Sequence, residues 1–94
     1  MRITGIIWLR QFAEKIDRKH GVAAHEVEAI LYGHRRVCLM ERGDYEGEDV
    51  FEALGQTEEG RYLAIFFVFK RSRDALVISA RDMTQKERRR YGRR

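Results

Sequence analysis

The residues best suited to acid–base or phosphate chemistry lie at the predicted ends of helices and strands. His20 closes a helical segment and Glu48 lies in a polar turn, and both side chains can move protons. Arg61 and Arg81 stand where one strand begins and another ends, and an arginine binds a phosphate through paired donors. Cleavage of RNA without a metal needs a base for the 2′-hydroxyl, an acid for the leaving 5′-oxygen and cations for the charged phosphorane. These residue types meet that need.

Each of these residues also has a plain structural interpretation. His20 could complement the dipole at a helix C-terminus, and Glu48 could be one more solvated acid beside Glu46 and Asp49. Arg61 could be a surface residue next to a turn, and Arg81 could pair with a neighbouring acid. The residue types alone therefore leave both interpretations open at every position.

The C-terminal stretch, residues 81–94, carries the excess positive charge. It has seven basic and two acidic residues, whereas residues 1–80 have twelve basic and thirteen acidic ones. A localised basic patch favours a polyanion or an acidic protein as partner, and a solvated tail is the alternative. In this stretch Arg88 and Arg89 could contact phosphates, and Tyr91 could stack on an unpaired base.

Several classes of site find no support in the sequence. It has no glycine-rich phosphate loop, no GxSxG motif and no zinc-ligand spacing. His20, His25 and His34 are too scattered for an obvious metal set. The single cysteine, Cys38, excludes an internal disulfide, and its mid-strand position predicts an inert core thiol. We therefore expect neither a metal nor a cofactor.

Residue periodicity predicts the elements that would position these side chains. Residues 3–9 are rich in β-branched and aromatic residues and predict a strand. Residues 11–21 and 25–33 have apolar residues at helical spacing, and each segment ends in a glycine. The period then changes, and four further strands are predicted at residues 36–42, 50–57, 62–70 and 75–80.

These elements together predict an α+β fold. Residues 62–70 are apolar on both faces, which is typical of a central strand, and short connections favour an antiparallel meander. Thr84 and Glu87 have the spacing of a capping box that starts a final helix. The order β-α-α-β-β-β-β-α therefore predicts an antiparallel sheet with two N-terminal helices and a C-terminal helix. Since no linker or repeat is evident, we expect one domain over residues 1–94.

Short motifs, taken in order, resemble those of a known family. They are Trp8, KHGV at 19–22, EVEAIL at 26–31, GED at 47–49, ALGQT at 53–57, GRYL at 60–63, ISARDM at 78–83 and ERRRY at 87–91. In this order and spacing they resemble the BrnT family of toxins from bacterial type II toxin–antitoxin pairs, over almost the whole chain. The chain departs from the family pattern at Leu9, Phe12, Ile16 and Ala23, which indicates a divergent member.

The resemblance implies a RelE-like fold and a metal-independent endoribonuclease that arrests growth by cutting RNA. It also implies a BrnA-like antitoxin that binds the toxin, with operator DNA contacted only through that antitoxin. The positions that match the family motifs are Lys19, His20, Glu48, Arg61, Ser79, Arg81, Glu87, Arg88 and Tyr91. The alternative function is a non-catalytic basic module that binds an acidic protein or a nucleic acid.

The resemblance also suggests roles for the matching residues. We expect His20 or Glu48 to transfer protons, and Arg61 and Arg81 to bind the scissile phosphate. The residues expected to grip RNA are Lys19, Ser79, Arg88, Arg89 and Tyr91. The longest apolar run, residues 62–69, is far shorter than the ~20 residues of a membrane helix, and the N-terminus lacks a signal-peptide pattern. We therefore expect a cytoplasmic protein with no membrane contact.

Overall fold

The structure, a computed structural model, describes residues 1–93. Its elements are β1 (Gly5–Ile7), α1 (Arg10–His20), α2 (Ala24–Tyr32), β2 (Arg36–Glu41), β3 (Val50–Gln56), β4 (Tyr62–Phe69), β5 (Asp74–Asp82) and α3 (Gln85–Gly92). The predicted order of strand, two helices, four strands and helix is confirmed. Among the described residues, no helix has the length and apolar character needed to cross a membrane.

The five strands form one sheet in the order β1-β5-β4-β3-β2. Strands β2 to β5 pair in antiparallel fashion, so the predicted meander is confirmed. β1 adds a parallel strand beside β5, with Gly5 opposite Asp74 and Ile7 opposite Leu76. Most of the chain separates β1 from β5, so no tight hairpin imposes an antiparallel direction, and the sheet is mixed.

Helices α1 and α2 cover one face of the sheet and form the main core with it. Ile16 from α1 and Ile30 from α2 are buried in one apolar cluster that includes Phe67 of β4. Ile30 lies directly on Gly55 of β3, where a Cβ atom would come 2.5 Å from the Ile30 Cγ2. Only glycine therefore permits this approach of helix to sheet.

The C-terminal helix α3 lies on the opposite face and begins at the predicted capping box. The Thr84 Oγ1 accepts a hydrogen bond from the Glu87 amide at 3.1 Å, and the Glu87 carboxylate accepts one from the Thr84 amide at 2.8 Å. A smaller apolar cluster, with Leu54, Ala64 and Met83 at its centre, packs beneath the helix. The helix is therefore placed by both its cap and this second cluster.

The position of Cys38 differs from the prediction. Its thiol is exposed because β2 is the outer strand of the sheet and almost all of its side chains face solvent. A pattern of alternating apolar residues does not distinguish such an edge strand from an inner one. The prediction of a core thiol is therefore wrong.

Candidate nucleic-acid interface

One row of side chains crosses the four antiparallel strands on the α3 face of the sheet. Arg36 of β2 is opposite Leu54, Leu54 is opposite Ala64, and Ala64 is opposite Arg81 of β5. Since paired strands are about 4.8 Å apart, three steps separate the two arginines by about 14 Å along this row. The apolar pair between them supports α3, so an arginine lies toward each end of the helix.

Both arginines of this row bind α3. Arg81 forms a bidentate ion pair with Glu87, with Nη1–Oε1 and Nη2–Oε2 distances of 2.7 and 2.9 Å. Arg36 donates through Nη1 to the carbonyl of Arg90 at 2.6 Å and to that of Arg93, at the helix C-terminus. Arg81 therefore fixes the first turn of the helix, and Arg36 satisfies carbonyls of the last turn.

The Arg81–Glu87 pair is partly shielded from water, with 32% of the Arg81 side chain and 11% of the Glu87 side chain exposed. Hydrogen bonds from Arg81, followed by the backbone amide of Thr84, lower the pKa of Glu87 to about 2 in spite of its burial. The same carboxylate raises the pKa of Arg81. Both groups are therefore charged at neutral pH, and Arg81 is a fixed cation at the end of the last strand.

Glu52 is a buried acid beneath α3 that sequence reasoning missed. Only 1% of the residue is exposed, and Arg90 of α3 is its ion-pair partner. Burial raises the pKa of Glu52, against the attraction of Arg90. The sequence did contain a sign of this buried acid, because Glu52 occupies an inward position in the largely apolar strand β3, VFEALGQ. Such a residue is costly without a partner and indicates an ion pair with another element.

Cations lie on aromatic rings along the same face. The guanidinium carbon of Arg81 is 5.2 Å from the centre of the Phe66 ring, and that of Arg88 is 4.0 Å from the centre of the Tyr62 ring. Tyr91 packs edge-on against Tyr62, with ring centres 6.1 Å apart. Aromatic rings and arginine cations therefore alternate on this face, and these are the side-chain types that can stack on bases and bind phosphates.

The outward side of α3 continues this positive surface. A cleft of about 200 Å³ is lined by Lys86, Arg89, Arg90 and Arg93. We use the term α3 surface for the residues exposed or half-exposed on this face, which are Tyr62, Phe66, Ser79, Arg81, Lys86, Arg88, Arg89 and Tyr91. It unites the predicted residues Ser79, Arg81, Arg88, Arg89 and Tyr91. Tyr62 and Phe66 were not predicted, although their spacing along a strand places them on one face.

The predicted residues Lys19 and His20 lie on the other side of the sheet, at the end of α1. The carbonyls of His20 and Gly21 accept hydrogen bonds from Arg61 at 2.9 and 2.8 Å. The Arg61 Nε also donates to Asp82 at 2.8 Å, and this contact lowers the pKa of Asp82. Arg61 thus joins the end of α1 to the end of β5, and its guanidinium N–H groups are used in these hydrogen bonds.

Glu48 lies far from the other predicted residues. It is exposed in the loop before β3, at the end of the sheet where Val50 pairs with Val68. The opposite end, where Gln56 pairs with Tyr62, is six strand residues away, or about 20 Å. The structure therefore does not bring Glu48 together with Arg61 and Arg81. Among the described residues, no three His, Cys, Asp or Glu side chains are grouped as a metal site requires.

Comparison with known proteins agrees with this architecture. Residues 8–87 match a family described as the ribonuclease toxin BrnT of type II toxin–antitoxin systems. The chain belongs to the BrnT family. The resemblance predicted from the sequence motifs is thus confirmed, and the BrnT toxins form a family of ribonucleases that are the toxin components of type II systems.

A solved BrnT structure has the same fold. The ribonuclease toxin BrnT of Brucella abortus is 24% identical to this chain, with a TM-score of 0.66. The match covers 86% of this chain and 97% of the Brucella protein. A sequence search of curated proteins finds no match.

Proposed function

We propose that this BrnT-family protein is a metal-independent endoribonuclease toxin that binds RNA on its α3 surface and arrests growth by cutting it. The observation that carries this proposal is the position of Arg81. Its guanidinium is held by Glu87 beside the Phe66 ring, and 32% of the side chain is exposed. A cation that is already oriented stabilises developing phosphorane charge without further reorganisation.

The rest of the α3 surface supports binding of single-stranded RNA. Tyr62, Phe66 and Tyr91 offer half-exposed rings for unpaired bases, and Arg88 and Arg89 offer charge for phosphates. Ser79 lies opposite Phe66 and adds a hydroxyl donor on the same face of the sheet. In a duplex the bases are stacked on each other, so we expect unpaired segments of RNA to bind best.

For proton transfer we propose His20 in preference to Glu48. His20 lies at the same end of the sheet as Arg81, because Arg61 joins the His20 carbonyl to Asp82, the residue next to Arg81. Glu48 lies at the other end of the sheet. Lys19, next to His20, would contact RNA that passes around this end. Arg61 would act as a positioning residue, because it holds the main chain at His20 and Gly21.

We also propose partners that follow from the toxin class. A BrnA-like antitoxin would neutralise the enzyme by covering the α3 surface, and operator DNA would be bound only through that antitoxin. The excess of cations on α3 suits an acidic antitoxin segment. Cutting cellular RNA requires that the protein act in the cytoplasm.

The separation of both proton-transfer candidates from Arg81 favours one alternative. A non-catalytic basic module would use the same α3 surface to hold an acidic protein or RNA without cutting it. Such a module needs no proton donor near Arg81, and it would show salt-sensitive binding alone.

Incubation of the purified protein with total RNA in excess EDTA distinguishes the two functions. We expect cleavage by the wild type and at least a tenfold loss in Arg81→Ala, which removes the oriented cation. Arg10→Ala is the matched control, since Arg10 is a cation on α1 with 91% of its side chain exposed. Intact RNA with retained binding would support the binding module, and cleavage unchanged in Arg81→Ala would remove Arg81 from the site.

A further inference from the structure

A groove of about 690 Å³ lies beside the α3 surface, between the C-terminal end of α3 and the turn that leads into β2. It is lined by His34, Arg36, Tyr91, Gly92 and Arg93. The volume is in the range of sites that bind small molecules. The described lining has two arginines and a histidine and no acidic side chain, so it favours an anion.

A second groove, at the other end of the sheet, has a different charge pattern. Its volume is about 270 Å³, and its lining mixes the acids Glu46 and Asp49 with basic residues such as Arg71. Glu46 and Arg71 face each other there at 3.8 Å. Opposite charges thus offset each other in that groove, whereas the groove at His34 keeps its positive character.

The C-terminal end of α3 does not cancel the positive charge of the groove at His34. The last carbonyls of a helix carry partial negative charge, which disfavours anions. Here Arg36 donates to the carbonyls of Arg90 and Arg93 and so offsets that charge. The exposed side chains of His34 and Arg93 then face the groove with Tyr91 between helix and sheet.

Tyr91 connects this groove to the α3 surface. Its ring packs edge-on against Tyr62, with ring centres 6.1 Å apart. The guanidinium carbon of Arg88 lies 4.0 Å from the centre of the Tyr62 ring. An RNA strand bound along the α3 surface would therefore meet the groove at Tyr91.

We propose that the groove is a binding subsite for one nucleotide of the RNA, an inference that rests on the proposed function. Tyr91 contacts the base, while Arg93 and His34 donate to the phosphate and Arg36 supplies further positive charge. A nucleotide fits this lining better than a phosphate alone, because the groove combines an aromatic ring with the cations.

Proton NMR of the histidine rings tests this subsite directly, since the chain has three histidines. Titration of the full-length protein with adenosine 5′-monophosphate should shift the ring signals of His34 and leave those of His25 unchanged. Inorganic phosphate and adenosine, tested separately, should each shift them less. Unchanged His34 signals at saturating nucleotide, or an equal response to inorganic phosphate, would overturn the proposal of a nucleotide subsite.

Affinity for a single-stranded RNA oligonucleotide separates this inference from the proposed function. His34→Gln and Arg93→Gln should each weaken binding about two- to tenfold, as expected for one lost hydrogen bond, while His25→Gln should not. Suppose that His34→Gln and Arg93→Gln bind the oligonucleotide as the wild type does, while Arg88→Ala binds it weakly. The groove is then not a nucleotide subsite, but the α3 surface is still the RNA-binding surface. If these three variants all bind as the wild type, both proposals fail.

Discussion

Arg36 and Arg81 lie in one cross-strand row, at opposite edges of the meander, and hold opposite ends of α3. Arg81 binds the carboxylate of Glu87 in the first turn, and Arg36 binds carbonyls of the last turn. The apolar cluster beneath the helix is small, with Leu54 and Ala64 at the centre of the row. The position of the proposed RNA surface therefore depends strongly on polar contacts of α3.

The first prediction concerns the acid sensitivity of this attachment. The folded-state pKa of Glu87 is about 2, against an ordinary 4.5, so its stabilising effect is complete above pH 4.5 and is lost as the pH falls toward 2. This lowering of the pKa of Glu87 corresponds to roughly 3 kcal/mol of unfolding free energy. Arg81→Ala should be less stable at pH 7 and should lose less stability on acidification.

Urea unfolding at pH 7, 4.5 and 3 measures this effect. Glu52 acts in the opposite direction, because burial raises its pKa and the folded protein gains relative stability as this group is protonated. The net loss in the wild type should therefore be smaller than Glu87 alone would give. Equal losses in the wild type and Arg81→Ala between pH 4.5 and 3 would contradict the assigned ion pair.

A second prediction concerns the cap of α3. Thr84→Ala removes the acceptor for the Glu87 amide and should reduce the unfolding free energy by about 1 kcal/mol. Gln85→Ala, at the next position and exposed, is the matched control and should be nearly neutral. The midpoint temperatures of thermal unfolding of the two variants are compared with that of the wild type. An unchanged midpoint in Thr84→Ala would show that the cap does not stabilise the helix.

A third prediction distinguishes positioning from phosphate binding at Arg61. Arg61→Ala leaves two carbonyls and Asp82 without their donor and should destabilise the fold by about 2 kcal/mol. RNA affinity per folded molecule should change little. A variant with wild-type stability and strongly reduced RNA affinity would instead indicate that Arg61 binds a phosphate.

A fourth prediction concerns the salt dependence of RNA binding. For single strands, the slope of log affinity against log salt is about −0.7 for each phosphate contact. Arg88→Ala and Arg89→Ala should each make the slope less steep by about this amount, whereas Arg10→Ala should not. Fluorescence anisotropy at four salt concentrations gives the slopes, and a flat wild-type response would rule out a phosphate-driven interface.

The sequence predicted the elements of this fold well because their signals are local. The capping box at Thr84 and Glu87, the end of α1 at the glycine Gly21, and the apolar β4 all occur as predicted. The exposure of Cys38 and the parallel pairing of β1 depend on which strands lie at the edge. Strand order is a property of the whole sheet, so periodicity could not reveal it.

The candidate site was predicted only in part for the same reason. Arg81, Arg88 and Tyr91 are close in sequence, and the structure keeps them on one face. Glu48 and Arg81 are distant in sequence, and only the register of the strands shows that they lie at opposite ends of the sheet. The inward acid Glu52 was detectable in the sequence of β3, but its ion-pair partner Arg90 was not.

The chemical ends of the RNA products test the central claim most directly. Attack by a 2′-hydroxyl with loss of the 5′-oxygen leaves a 2′,3′-cyclic phosphate or its 3′-phosphate and a 5′-hydroxyl end. We expect these ends from the wild type in excess EDTA, no cleavage of an oligonucleotide with a 2′-deoxy residue at the cut, and little product from Arg81→Ala. Products with 5′-phosphate ends, or cleavage that stops when EDTA is added, would contradict the account.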